Sequence, residues 1–146
     1  MSMEDFPKPK LTPELKVTDY NKSLDFYCRL AGFKILYDRL EDEFAMLDRE
    51  GARIMIEALT DGSRTWKVAP LEHPFGRGMH FQIEVSDVDS LYINFKYNNY
   101  PIFFEIEEKW YRSGSEQLGN RQFLVQDPDG YLLRFYENVG TKVVEF

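Results

Sequence analysis

The feature that most constrains this chain is a repeat inside it. Leu15-Lys16-Val17-Thr18-Asp19, with Ser23-Leu24 downstream, corresponds to Ile83-Glu84-Val85-Ser86-Asp87, with Ser90-Leu91 downstream. Each copy reads the same way: a strand with alternating faces, then Thr-Asp or Ser-Asp as a helix cap, then a helical run. Three further strand-like runs follow each helix, so the chain reads as one βαβββ unit used twice. That predicts an α+β fold of two modules with curved mixed sheets around a groove and the helices outside. The expected domain is residues 8–139, with module one over 11–59, a linker over 60–77 and module two over 78–137.

In the first module, Leu11 to Val17 is the expected first strand after the proline-rich lead-in of Pro7 and Pro9. The helix presents Tyr20, Leu24, Tyr27, Cys28 and Ala31 at helical spacing, and Gly32 closes it as a left-handed residue. Phe33 to Tyr37, Phe44 to Leu47 and Ala52 to Leu59 are the remaining strands, with a charged turn at Glu41-Asp42-Glu43. Ile54, Ile56 and Ala58 share one face of the last strand; Arg53, Met55 and Glu57 share the other. Thr60 to Arg77 carries no readable element, and a connection that long is usually functional or a linker.

The second module opens on Met79 to Val85, where His80, Gln82 and Glu84 oppose Phe81, Ile83 and Val85. Val88, Leu91, Tyr92 and Phe95 form the inward side of its helix. A strand is expected from Pro101 to Ile106 and a loop from Glu107 to Gly119. A hairpin then turns on Asp127-Pro128-Asp129-Gly130. Pro128 presets φ, the two aspartates bond nearby backbone, and Gly130 is free to take positive φ. In its second strand Leu133 and Phe135 face one way and Leu132, Arg134 and Tyr136 the other, and a short tail follows.

With both helix-side faces assigned to the core, the opposite faces need a use. They carry Thr12, Glu14, Lys16, Arg53, Met55, Glu57, His80, Gln82, Glu84, Leu132, Arg134 and Tyr136. A solvated face and the wall of a small-molecule groove are both consistent with this mixture. Composition narrows the partners. A formal net charge of -7 disfavours nucleic acid and anionic membranes and favours cationic ligands. No apolar run approaches the ~20 residues that span a bilayer, and no secretory leader is legible. The single cysteine, Cys28, leaves no disulfide framework, which fits a cytoplasmic protein. On a helix face beside Leu24 and Tyr27 it reads as core rather than nucleophile.

The stretches Leu15-Lys16-Val17-Thr18-Asp19, Ser23-Leu24-Asp25-Phe26-Tyr27, Gly32-Phe33 and Phe123 to Tyr131 resemble the vicinal oxygen chelate superfamily. That group contains glyoxalase I, extradiol dioxygenases and bleomycin resistance proteins. Glu41 to Ala45 and Asn120 to Phe123 are most similar to the bleomycin resistance branch. The resemblance implies a groove shared across a two-fold homodimer. It also implies sequestration of a cationic glycopeptide without turnover, with Phe44 stacking on the ligand. Gly119 departs from the branch, which has a tryptophan there; Trp110 and Tyr111 upstream are either substitutes for that ring or loop-packing aromatics.

Metalloenzymes of the superfamily have ligands at positions that correspond to Thr12, Glu57, His80 and Arg134. Threonine is a poor ligand and arginine a fixed cation, so no metal and no cofactor are expected. A site made of Glu57, His80 and His73 is the alternative, and with it a metal-dependent glyoxalase-type lyase or extradiol dioxygenase. His80 reads otherwise as a hydrogen-bonding or stacking group, or as a general base lacking a nucleophile. The expected ligand-binding set is Thr12, Glu14, Phe44, Met55, Glu57, His80, Gln82, Trp110, Tyr111, Arg134 and Tyr136, with no catalytic residue.

Overall fold

A computed structural model describes residues 8–60 and 66–144. The first part of the 60–77 connection, residues 61–65, lies outside the described residues. The chain divides into two compact units. One runs up to Arg77 and includes Asp127–Tyr131; the other holds Gly78–Gln126 and the chain from Leu132 onward.

The first unit contains β1 (Glu14–Val17), α1 (Tyr20–Asp25), β2 (Lys34–Arg39), β3 (Phe44–Arg49) and β4 (Ala52–Ala58). Its sheet has the order β1-β4-β3-β2, with β1 parallel to β4 and the other pairs antiparallel. The first strand is shorter than its sequence pattern suggests. Proline has no N–H to give a ladder, so pairing starts after Pro13, whose carbonyl still accepts from the Met55 amide at 2.9 Å. Asp19 caps α1 as expected, accepting from the Lys22 N–H at 3.1 Å. The helix then widens into a π turn over Phe26–Leu30, where Ala31 bonds back to the Phe26 carbonyl at 2.9 Å. The buried stripe is Tyr20, Ser23, Phe26, Tyr27, Leu30 and Ala31, and Leu24 and Cys28 are only half-buried. Against this stripe the sheet places Leu15, Val17, Ala45, Leu47, Ile54 and Ile56, each at most 4% exposed.

The second unit contains β5 (His80–Glu84), α2 (Val88–Tyr97), β6 (Phe104–Ser113), β7 (Glu116–Gln126) and β8 (Leu132–Val143). Its sheet repeats the first one's order, β5-β8-β7-β6, with β5 parallel to β8. Val88, Leu91 and Phe95 of α2 are buried, as are Ile83, Phe123, Val125, Leu133 and Phe135 of the sheet. Phe95, Phe123 and Phe135 meet with ring centroids 5.7–6.2 Å apart.

Two boundaries in this unit overturn the sequence reading. Glu107 to Gly119 is not a loop: β6 continues to Ser113, turns at Gly114 and Ser115, and returns as β7. The residues after Glu137 are not a tail either, since β8 pairs with β7 as far as Val143. The polar run 107–113 hid an edge strand, which tolerates charge on both faces because only one of its sides must pair. What fixes the hairpin is packing. Trp110 lies opposite Gly119, and a Cβ at 119 would sit 2.7 Å from the Trp110 ring. The indole covers a residue that has no side chain of its own.

The Asp127-Pro128-Asp129-Gly130 turn was legible, and its packing is within the first unit. Tyr27 donates to Asp127 Oδ2 at 2.7 Å, Thr18 donates through its hydroxyl and N–H to Asp129, and Tyr131 donates to the Lys16 carbonyl at 3.0 Å. Phe75, from the linker, bonds the Asp129 carbonyl at 2.8 Å and packs edge-on against Tyr131. Described residues 66–77 otherwise form no helix or strand.

Candidate functional site

The face of the first sheet away from α1 is built by alternation. Glu14 and Lys16 point there from β1, Arg53, Met55 and Glu57 from β4, and Phe44 from β3, opposite Glu57 in register. Thr12 precedes the strand. Lys16 is only 9% exposed and donates to Glu57 at 2.7 Å and Glu14 at 3.0 Å. Burial works against the ammonium, but the two carboxylates outweigh it, and the Lys16 pKa ends above its ordinary value. Lys16 is therefore a fixed cation and not a base. Arg53, 8% exposed, is paired with Asp48 at 3.4 Å.

Phe44 is 2% exposed. The Arg39 guanidinium lies 4.0 Å from its ring centroid and Tyr37 stands 6.1 Å away, both from the neighbouring strand β2. Neither Arg39 nor Tyr37 was picked from sequence. Their shared parity along β2 was the available signal, but using it required the β2–β3 register, which carries an irregularity between Ile35 and Tyr37.

On the second sheet the face away from α2 brings together His80, Gln82 and Glu84 of β5 with Leu132, Arg134 and Tyr136 of β8, in register pairs. His80, Gln82 and Glu84 are exposed; their β8 partners are half-buried. Arg134 donates to Gln82, and Tyr136 donates to Glu84 at 3.0 Å. Burial, with that carboxylate beside it, holds the Tyr136 phenol above its ordinary pKa. Next along, Gln122 of β7 donates to Glu107 at 3.1 Å and to the Tyr111 hydroxyl at 2.6 Å, and the Tyr111 ring is 5.7 Å from the Arg134 guanidinium. Glu107 falls in the stretch expected as a loop, and Gln122 lies on β7, the third strand of its unit, whereas the sequence pattern assigns the open face to each unit's first and last strands.

Trp110 and Tyr111 part company here. Consecutive strand residues face opposite ways, so Tyr111 joins Arg134 while Trp110 sits over Gly119, donates to Glu108 at 3.1 Å and holds Lys142 3.8 Å from its ring.

The metal-ligand positions implied by the resemblance do not suit a metal. Glu57 is already neutralised by Lys16, and Arg134 is a permanent cation with only donors. No group of three or more His, Cys, Asp or Glu gathers among the described residues. Cys28 has its thiol pushed up by burial and by Asp25, the reverse of nucleophile activation. His73 is exposed, with its carbonyl accepting from Arg77 at 2.8 Å.

Two βαβββ units, each a helix-backed sheet whose other face carries polar and aromatic side chains, define a duplicated-module protein of the glyoxalase type. The family model of the Glyoxalase/Bleomycin resistance protein/Dioxygenase superfamily matches residues 12–135, and the chain belongs to that superfamily. Among solved structures it is similar to TioX from Micromonospora sp. ML1, at 26% identity and TM-score 0.65, covering 88% of this chain and 98% of that one. A glyoxalase/bleomycin resistance protein/dioxygenase from Alicyclobacillus acidocaldarius shares the fold at 22% identity and TM-score 0.62, covering 93% and 96%. The fosfomycin resistance protein FosX from Listeria monocytogenes shares it at 17% identity and TM-score 0.57, covering 90% and 92%. No curated protein matches the sequence.

Proposed function

We propose that this protein binds a small planar molecule, cationic or amphipathic, reversibly and without turnover, as bleomycin resistance proteins do. The observation that carries the reading is the Arg39–Phe44 stack. A planar cation of the protein's own already lies 4.0 Å from the ring the ligand would use. The net charge of -7 acts in the same direction. Stacking of a cation on an aromatic face contributes about 0.5–2 kcal/mol, more as water is excluded. A total of about -8 kcal/mol, micromolar affinity, suffices for sequestration by an abundant protein.

On the first sheet the residues offered to a ligand would be Thr12, Glu14, Met55 and Glu57, and on the second sheet His80, Gln82, Arg134, Tyr111 and Tyr136. The reading includes a two-fold homodimer and a cytoplasmic location. No described helix is long and apolar enough to cross a membrane. Calorimetric titration with bleomycin and with simpler planar cations is the test. Phe44→Ala should abolish or strongly weaken binding, and Arg39→Ala should tighten it by removing the internal competitor. A Phe44→Ala protein that binds as well as the parent, or no heat with any planar cation, removes the reading.

A further inference from the structure

On the open face of the second sheet, two polar atoms are buried and have no hydrogen-bond partner: Arg134 Nε, a donor, and Gln122 Oε1, an acceptor. Gln122 is 3% exposed, and its orientation is fixed by chemistry. The Glu107 carboxylate only accepts, so the Gln122 NH2 must face it, and the carbonyl oxygen is the end left over. Arg134 pairs across the sheet with Leu124 and Tyr136 with Gln122, which makes Gln122 and Arg134 diagonal neighbours on one face. Tyr111 covers them. Its hydroxyl accepts from Gln122, its ring centroid is 5.7 Å from the Arg134 guanidinium, and it is 37% exposed on the edge strand β6.

Buried polar groups are nearly always paired, because each unpaired one carries its full desolvation cost. One spare donor and one spare acceptor on diagonal neighbours, next to a partly exposed ring, are complementary to a planar group that offers both functions. We infer that Arg134 and Gln122 form a subsite for a carboxamide attached to a flat ring: the amide oxygen accepts from Arg134 Nε, the amide N–H donates to Gln122 Oε1, and the ring lies next to Tyr111. This rests on the ligand-binding reading above and adds the chemistry of a ligand group that the second sheet would take. A carboxylate satisfies the arginine but repels the glutamine oxygen, and an amidinium does the reverse.

The test uses benzamide, N,N-dimethylbenzamide, benzoate and benzamidine against the full chain, followed by NMR of arginine Nε–H and glutamine side-chain signals. Benzamide should shift the Arg134 and Gln122 signals and bind about tenfold or more tighter than N,N-dimethylbenzamide, which keeps the acceptor and lacks the donor. Gln122→Met should erase that preference. Arg134→Lys, which keeps the charge but loses Nε–H, should weaken both amides together and serves if the buried Gln122 variant does not fold. Benzamide that leaves both signals unmoved at millimolar concentration, or a preference that survives Gln122→Met, overturns the inference. If that happens while planar cations still bind in a Phe44-dependent way, the carboxamide subsite falls and the proposed function stands; if neither class binds, both fall.

Discussion

Asp127 offers the sharpest test of how this fold is held. Its carboxylate is 3% exposed and accepts from the Tyr27 hydroxyl at 2.7 Å and from the Asp129 and Tyr131 amides at 2.9 Å. Burial dominates all the same and raises its pKa from 3.8 to about 6, with the three hydrogen bonds acting downward. The folded protein therefore holds a proton on Asp127 over a pH range in which the unfolded chain has released it. Stability from this group is greatest below pH 3.8 and falls as pH rises towards 6, above which the difference is complete. At ~1.4 kcal/mol per tenfold change in proton affinity the span amounts to about 3 kcal/mol.

Carboxylates held low in the fold, such as Asp25 against Arg29 and Asp87 against Ser90, work in the opposite sense, with their loss below about pH 4. Urea denaturation from about pH 4.5 to 7.5 separates the two, because Asp127, held high, gives a falling slope there and carboxylates held low do not. Asp127→Asn should flatten it. Tyr27→Phe should weaken the protein at pH 7.5 by about 1.5–3 kcal/mol, by less near pH 5, and extend the slope upward, since the hydroxyl favours the charged form. A parent protein that gains stability from about pH 4.5 to 6.5, or an Asn variant with the parent's slope, refutes the reasoning.

Two further perturbations test the hairpins. Gly119→Ala places a Cβ 2.7 Å from the Trp110 ring and should cost about 1–3 kcal/mol, and Trp110→Ala should relieve most of that cost in a double-mutant cycle read by urea midpoints. Gly130→Ala is harsher. Gly130 has φ +95, and the new Cβ would lie 2.5 Å from Pro74 Cβ and 2.6 Å from Pro74 Cα, where backbone cannot yield, so a loss of about 2–5 kcal/mol by thermal or urea denaturation is expected.

The sequence by itself determined the duplicated βαβββ order, both helix caps, the Asp-Pro-Asp-Gly turn and the sidedness of β4, β5 and β8. Those follow from local rules: period-two alternation, oxygen side chains before helices, and proline and glycine at turns. Only the tertiary structure decided the rest. Whether 107–119 was loop or strand depended on a tryptophan meeting a glycine across a register that no local pattern specifies. Leu24 and Cys28 are half-buried because the helix turns Tyr20, Ser23, Tyr27 and Leu30 to the sheet, a choice of face that helical spacing alone leaves open. Phe44 was visible as an aromatic, but its partner Arg39 belongs to a strand whose irregular pairing sets which residues meet it. Likewise Gln122 reads as one polar residue among many until β6, β7 and β8 are aligned; hydrogen-bond satisfaction is a property of neighbours in space, and the chain fixes those only when it is folded.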